Sequence, residues 1–531
     1  MGAQGESAAL VEAMGQPGFY PHRPDRVETV ETHISWVFLA GPLAYKVKKP
    51  VVFEFLDYGT LERRRSLCHE EVRLNRRLAP SIYRGVRALV RDQRGWALAK
   101  GAYAPGAGEY AVEMRRFDER ATLAAQLASG EATGERMREL GRRLADFHRR
   151  AEPAPAPGAW PEHLARSLDE NLEALLAVGG GVVESTQLAA AERFVSAFLV
   201  ARRDELADRA ARGCVRDCHG DLRAEHVLFG RDGVEVFDCV EFSPALREID
   251  VATDLAFLVM DLAGAGREDL GLELTGSYRQ VGGDPGNDAL LHFFAMYRAW
   301  VRAKVACLRA AELESADPRR AAALSEARVL AALARRLAWR ARCPLALVVC
   351  GGAASGKSHL SRHLAEAGGA VHLSSDVVRK ALLGLEPSER APEAAYSEEM
   401  NRRTYAELGR LARRHLDSGR PVLVDATSRY RRDRDDFVAA LGEAEVAFVE
   451  CLAPAAVRAR RAADREGDPA RESDAGVELA QRQLAEFEPL DEAPASAHLP
   501  LRTDRPVEQV ADDVEALMDA RLSQRSAKPS R

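Results

Sequence analysis

The sequence predicts two folded regions of different class, an α+β region followed by an α/β region with a parallel sheet flanked by helices. Three observations carry this expectation. Beyond Cys343-Pro344, apolar strand-like runs alternate with helical stretches, the order of a parallel sheet covered on both faces. Ahead of that point, hairpin signals come first and helices follow. A glycine-rich loop joins the first strand of the second region directly to a helix. At one domain per ~150 residues, 531 residues suit three or four domains. Hydrophobic residues at 46% and charged residues at 29% are those of a globular chain, which excludes the disordered and fibrous classes.

Residues 1–20 read as a loosely held lead-in. Ile34–Ala40 and Leu43–Val47 around Gly41-Pro42 form a hairpin signal, and Leu61–Leu78 a helix with a solvated face. Arg87–Val90, Trp96–Ala99 and Tyr110–Phe117 continue the β pattern. Met137, Leu140, Leu144 and Phe147 then share one helix face. Phe117, Phe147 and His148 read as core contacts. The Pro/Ala stretch Glu152–Trp160 is a short connector. Val215–Cys218 and Val234–Phe237 bracket a polar loop at 219–232, and helices fill most of 245–340. The second region runs strand Leu345–Cys350, loop, helix, strand Ala370–Leu373, helices, strand Val422–Val424, helix, strand Ala447–Cys451, then helices. The domains are therefore expected at 21–340 and 343–520, with a disordered tail at 521–531.

No apolar run reaches the ~18 residues of a membrane span, and the N-terminus lacks a basic segment followed by an apolar one. A cytoplasmic protein without membrane partners is expected. The balance of 75 basic against 81 acidic residues, net −6, makes nucleic acid an unfavoured partner. The eight scattered cysteines suit reduced thiols. Cys214, Cys218 and His219 lack a second pair at zinc-site spacing.

The strongest motif is Gly351-Gly352-Ala353-Ala354-Ser355-Gly356-Lys357-Ser358, after a strand and before a helix. Small residues let successive backbone N–H groups converge on phosphate oxygens, and the helix N-terminus adds partial positive charge. Lys357 supplies a point charge for the outer phosphates, and Ser358 offers its hydroxyl to Mg²⁺. Asp425 ends an apolar strand and suits the same ion. It is followed by Ala426, so the acidic pair of a mechanical ATPase is missing. Asp376, beyond the second strand, is placed to take a proton from an acceptor hydroxyl, with Arg379 beside it. A helix-capping role for Asp376 is the alternative. Arg458, Arg461 and Arg465 lie on a later helix, either closing over transferring charge or lining a solvated face.

These pieces, GGAASGKS (351–358), LSSDVVRK (373–380), VLVDATSR (422–429) and RARRAADR (458–465), resemble the P-loop kinase group that includes gluconate kinase, the zeta-toxin kinases and 5′-polynucleotide kinases.

A second constellation lies upstream. Asp221, in Cys218-His219-Gly220-Asp221, would orient or deprotonate an acceptor, and Asp238 at a strand end would hold the metal of ATP. Lys46 on a hairpin strand can reach phosphates, and Glu71 on the next helix can fix it. Lys48 shares its strand face and competes for that role. Across residues 30–335 these features resemble the aminoglycoside phosphotransferase family. The resemblance implies a two-lobed protein-kinase-like fold, His219-Gly220-Asp221 as the catalytic loop, and a metal-ligating Asn at a position where this chain has His226. Imidazole is a poor ligand for Mg²⁺, and Glu225 is a substitute.

The expected activity is ATP- and Mg²⁺-dependent transfer of the γ-phosphate to a hydroxyl of a small-molecule substrate. A nucleotide-binding switch and a nucleic-acid 5′-end kinase are the alternatives. The sequence does not speak to oligomeric state.

Overall fold

The computed structural model describes residues 3–53, 56–93, 95–230, 233–466, 487–494 and 497–524. The chain divides into two compact units, one of Met1–Trp160 with Ala207–Gly286, the other of Pro161–Leu206 with Asn287–Arg531.

Unit 1 carries β1 (Val27–Glu31), β2 (Ser35–Ala40), β3 (Leu43–Lys48), the small pair β4 (Val52–Phe53) and β5 (Leu56–Asp57), then β6 (Tyr83–Asp92), β7 (Gly95–Leu98) and β8 (Ala107–Arg115). Six of them form an antiparallel sheet in the order β1-β2-β3-β8-β6-β7. Alternation in β2 and β3 buries Phe38, Ala40, Tyr45 and Val47 on one side, against Leu10 and Met14. Those two residues belong to a helix, Ala3–Met14, so the lead-in expected to be loose is packed. Its small residues conceal the apolar pair that anchors it. The helix Leu61–Asn75 starts at Thr60, whose side chain accepts from the Arg63 N–H, and buries Cys68 and Val72 against β6 and β8.

Helices Gly134–Arg150, Val251–Gly264 and Glu268–Gln280 build the rest of unit 1, with four short strands: β9 (Val215–Asp217), β10 (Val227–Gly230), β11 (Gly233–Val236) and β12 (Glu248–Asp250). β10 pairs with β11 and β9 with β12. β10 lies where the sequence suggested only a polar loop. The charged run Arg223–His226 masks the four-residue strand behind it, whose Val227 and Leu228 are buried.

Unit 2 holds a five-stranded parallel sheet of β13 (Leu345–Cys350), β14 (Val371–Ser374), β15 (Val422–Asp425), β16 (Glu445–Leu452) and β17 (His498–Arg502), in the order β14-β15-β13-β16-β17. Every residue of β13 is buried, as a central strand covered on both faces requires. β17 was absent from the sequence reading, because Pro500 interrupts its pattern; it lies at the sheet edge, where proline is tolerated. The chain leaves β13 toward β14 on one side and later reaches β16 on the other, which opens the ligand crevice beyond the end of β13.

The helix Pro318–Ala341 contributes Trp339 to the core of this sheet, beside Leu345, Leu347 and Leu364. The core thus crosses the domain boundary expected near 340–343. The final helix, Val507–Gln524, buries Val514, Met518 and Leu522, so residues 521–524 are helical and not part of a disordered tail; 525–531 lie outside the described residues. Among the described residues, no helix is long and apolar enough to cross a membrane.

Trp339 is 1% exposed and fills the hollow above Gly368, where an added Cβ would lie 2.3 Å from the indole. Trp339→Ala is expected to destabilise unit 2 by about 3–5 kcal/mol, read as an earlier urea transition with little change in the unfolding of unit 1.

Candidate active sites

In unit 2 the loop Gly351–Ser358 leaves β13 and enters the helix Lys357–Gly368. Gly351 and Gly356 take φ of 125° and 100°, and Ala354 stands at 59°. Such left-handed values suit glycine and strain alanine. The loop is held from behind. Thr503, just after β17, donates its hydroxyl to the Ser355 carbonyl, and its own N–H donates to Leu452 O at 2.9 Å. Arg461 donates to Thr503 Oγ1 at 3.1 Å and to its carbonyl at 2.6 Å. The guanidinium of Arg461 is therefore a tie behind the phosphate loop. Arg458 lines a hollow on another side of the loop with Gly351, Gly352, Glu450, Phe487 and Arg502. The Arg465 side chain lies outside the described residues.

Lys357, Ser358, Asp376, Arg379 and Asp425 line a single polar pocket with Ala353, Ala354 and Gly356. Lys357 Nζ donates to Gly352 O at 2.9 Å. Asp425, 6% exposed, sits at the end of β15 in register with Val349. Asp376 is not the helix cap: Ser374 fills that position, accepting from the Val377 N–H, and Asp376 lies in the first turn. Arg379 is buried and largely spent on protein partners. It donates to Ala395 O at 3.1 Å and to Asn401 Oδ1 at 2.8 Å, stacks over Tyr396, and lies 3.5 Å from Asp376. Sequence reasoning missed Tyr396, Asn401, Arg429 and Asp433 in the same lining. Asp433 is 2% exposed with Oδ1 lacking a hydrogen bond, and burial raises its pKa. Arg429 alone had a signal, as the last residue of VLVDATSR. Ser358 and Asp425 supply oxygen donors, and the buried Ser355 Oγ lacks a hydrogen-bond partner within the phosphate loop, so this set fits Mg²⁺ and a nucleotide phosphate.

In unit 1, β3 directs Lys46 and Lys48 to one face, toward Glu71. The two lysines separate by burial. Lys48 is fully buried between Glu71 at 2.6 Å and Glu241, with Tyr58 OH at 3.3 Å. Lys46 reaches outward, 3.0 Å from Glu71 and 2.7 Å from Asp238. Burial opposes the charge on both lysines, but the surrounding carboxylates overcome it and raise both pKa values well above the ordinary range. Lys46 is the only one of the two with any side-chain exposure. Asp238 takes φ of 62°; burial raises its pKa, yet Lys46 outweighs this and holds the carboxyl well below the usual range.

The loop 218–226 is fixed by Asp254, which is wholly buried. Its oxygens accept from the N–H groups of His219 at 3.0 Å and Gly220 at 2.9 Å, while His148 Nε2 stands at 3.0 Å. His219 donates Nε2–H to Phe237 O at 3.0 Å and accepts from the Asp221 N–H, and burial lowers its pKa to about 4. Asp221 is left on the open side of the loop, one-third exposed, 3.2 Å from Arg223. The His226 ring lies between Asp221 and Asp238, with Nδ1 3.6 Å from Asp221 Oδ2 and Nε2 3.7 Å from Asp238 Oδ2. Glu225 engages Arg223. One oxygen donor and one imidazole nitrogen do not fit Mg²⁺.

The β1–β2 turn at Thr32–Ile34, which precedes the strand of Lys46, is shaped by Thr32, whose Oγ1 accepts from the Ser35 N–H.

Burial raises the Asp254 pKa, but His148 and the loop amides outweigh it and bring it down to about 2. A depressed carboxyl stabilises the fold above its unfolded pKa and loses that contribution as pH falls toward the folded value. Unit 1 should therefore lose on the order of 2 kcal/mol between about pH 4 and pH 2. Asp254→Asn should flatten that acid limb in pH-resolved denaturation.

The phosphotransferase enzyme family model matches residues 60–290, and the AAA domain model matches residues 347–490. The uncharacterized protein Rv2004c of Mycobacterium tuberculosis (strain ATCC 25618 / H37Rv) is 34% identical over 462 residues, which cover 86% of this chain and 89% of that protein. Among solved structures, a gluconokinase from Sinorhizobium meliloti 1021 is 25% identical with a TM-score of 0.25, covering 34% of this chain and 94% of its own. A choline/ethanolamine kinase family protein from Mesorhizobium loti is 15% identical with a TM-score of 0.39, covering 61% of this chain and 94% of its own. The chain belongs to the family of the mycobacterial protein, and in this chain an aminoglycoside phosphotransferase-like domain is followed by a P-loop kinase domain.

Proposed function

We propose that the protein is an ATP-dependent kinase that transfers the γ-phosphate to a hydroxyl of a small-molecule acceptor, with the P-loop domain as the principal transfer site. The observation that carries this is the shared pocket of the phosphate loop, Asp376 and Asp425 beyond the ends of β13, β14 and β15. The loop amides and Lys357 receive the phosphates. Ser358 and Asp425 would hold Mg²⁺, which supplies charge neutralisation on the phosphate oxygens. Asp376 accepts the proton of the acceptor hydroxyl as its oxygen bonds to phosphorus and the bond to the ADP oxygen breaks. Arg379 keeps the wall that carries Tyr396 and Asn401 in place through its bonds to that segment. Phe487 and Arg458, beside Gly351 and Gly352, offer a ring face and a cation for the nucleobase side of the loop.

Unit 1 supports a second transfer site, in which Lys46 binds phosphate and Asp221 receives the acceptor proton. It also supports a reading in which this unit binds nucleotide without transfer, favoured by the nitrogen donor of His226 beside Asp238.

Label transfer from [γ-³²P]ATP into a pooled metabolite extract tests the reading. Lys357→Ala should reduce labelling of the new compound at least about 100-fold, and Asp376→Asn by about 10²–10⁴-fold, both with native unfolding profiles. Loss of label in Asp221→Ala alone would move the transfer to unit 1. ATP binding with no label in any sample would replace the kinase reading with that of a nucleotide switch.

A further inference from the structure

The loop 218–226 presents an imidazole where an oxygen ligand would serve Mg²⁺, and the hydrogen bonds around that ring show what it is prepared to do. His226 Nδ1 lies 2.9 Å from the Asp221 carbonyl, which can only accept, so the neutral ring carries its proton on Nδ1. Nε2 then holds a lone pair. Arg223 Nη2, which can only donate, approaches that atom at 3.4 Å, consistent with the same tautomer. A backbone carbonyl fixing one ring nitrogen while the other turns to the site is the support that metal-bound histidines share. Nε2 and Asp238 Oδ2 are 3.7 Å apart, a gap that one cation bonded to each at about 2.0–2.2 Å spans. The ring is 6% exposed and has little freedom to turn away.

The other cluster of possible donors, His148, Cys218 and Asp254, brings three ligand atoms within 4.8 Å of one another. Each is already used: His148 on Tyr278 and Asp254, Asp254 on the loop amides, and Cys218 on Ile249 O at 3.4 Å. That group is a brace for the loop. His226 and Asp238, by contrast, border the side where Lys46 faces outward.

We propose that the first domain binds a divalent first-row transition ion in preference to Mg²⁺, held by His226 Nε2 and the Asp238 carboxylate, with nucleotide phosphate oxygens and water completing its shell. A borderline nitrogen donor raises affinity along the series from Mn²⁺ toward Cu²⁺, while a hard ion gains nothing from it. Entry of the ion displaces the long Arg223 contact from Nε2, and Arg223 retains Asp221 and Glu225 as partners. The inference rests on the reading that unit 1 binds nucleotide, and it concerns binding whether or not transfer occurs there.

The test uses the full chain carrying Lys357→Ala and Asp425→Asn, so that the phosphate loop of unit 2 does not contribute. Mn²⁺ is titrated with a non-hydrolysable ATP analogue, and pulsed electron paramagnetic resonance reads nitrogen coupling to the bound ion. The expected result is a histidine nitrogen coupling that changes on [¹⁵N]histidine labelling and disappears in His226→Asn. The Mn²⁺-over-Mg²⁺ preference should fall about tenfold or more in that variant. Bound Mn²⁺ with no histidine coupling and an unchanged preference would overturn the proposal while leaving nucleotide binding by unit 1 intact. Failure of the analogue to bind, with or without metal, would overturn both.

Discussion

A carboxylate taken out of water needs donors on every side, and Asp254 obtains them from the backbone of the loop it underlies. The amides of His219 and Gly220 and the ring of His148 converge on its two oxygens. This single buried charge fixes the backbone from which Asp221 projects, and through His219 it reaches the strand end that carries Asp238. His148 is in turn held by Tyr278 at 2.8 Å, so the helices Gly134–Arg150, Val251–Gly264 and Glu268–Gln280 all share one polar knot. Unit 2 solves the same problem differently. Its phosphate loop is pinned through a neutral threonine, with an arginine behind it.

The two lysines of β3 divide work that one residue could not perform. Lys48 satisfies Glu241 and part of Glu71 below the surface, and Lys46 spans Glu71 and Asp238 at its edge. Lys48, sealed in place, holds Glu71 from below independently of Lys46. The other carboxylate that Lys46 engages, Asp238, is the one next to His226.

How much of this was legible in the sequence follows from the range of each interaction. The phosphate loop was readable because GGAASGKS is contiguous and its function lies in its own backbone. Lys46, Glu71, Asp221 and Asp238 were singled out by spacing and family resemblance, and the structure brings Lys46, Glu71 and Asp238 into contact; the choice between Lys46 and Lys48 was not legible, because both point to the same face and only depth separates them. β10 and β17 escaped because a charged run and a proline break their periodicity. Thr503 has no local signature, since its role depends on β17 lying beside β16. Asp433 and Asn401 are likewise brought to the pocket by helices distant in sequence. The burial of the first helix rests on two apolar residues, too few to outweigh the surrounding small and polar ones.

The place of Trp339 bears on how the chain can be dissected. The helix that delivers this indole also delivers Arg335, and its C-terminal cap is Arg342; the two pair with Glu515 and Asp519 of the last helix, 4% and 1% exposed. A fragment started at Cys343, where the parallel-sheet pattern begins, would keep both acids and lose both cations, and would open the hollow over Gly368 to water. A second-half fragment that keeps these contacts has to include the helix Pro318–Ala341 and Arg342. The boundary between the two family matches and the boundary between the two compact units fall at different residues.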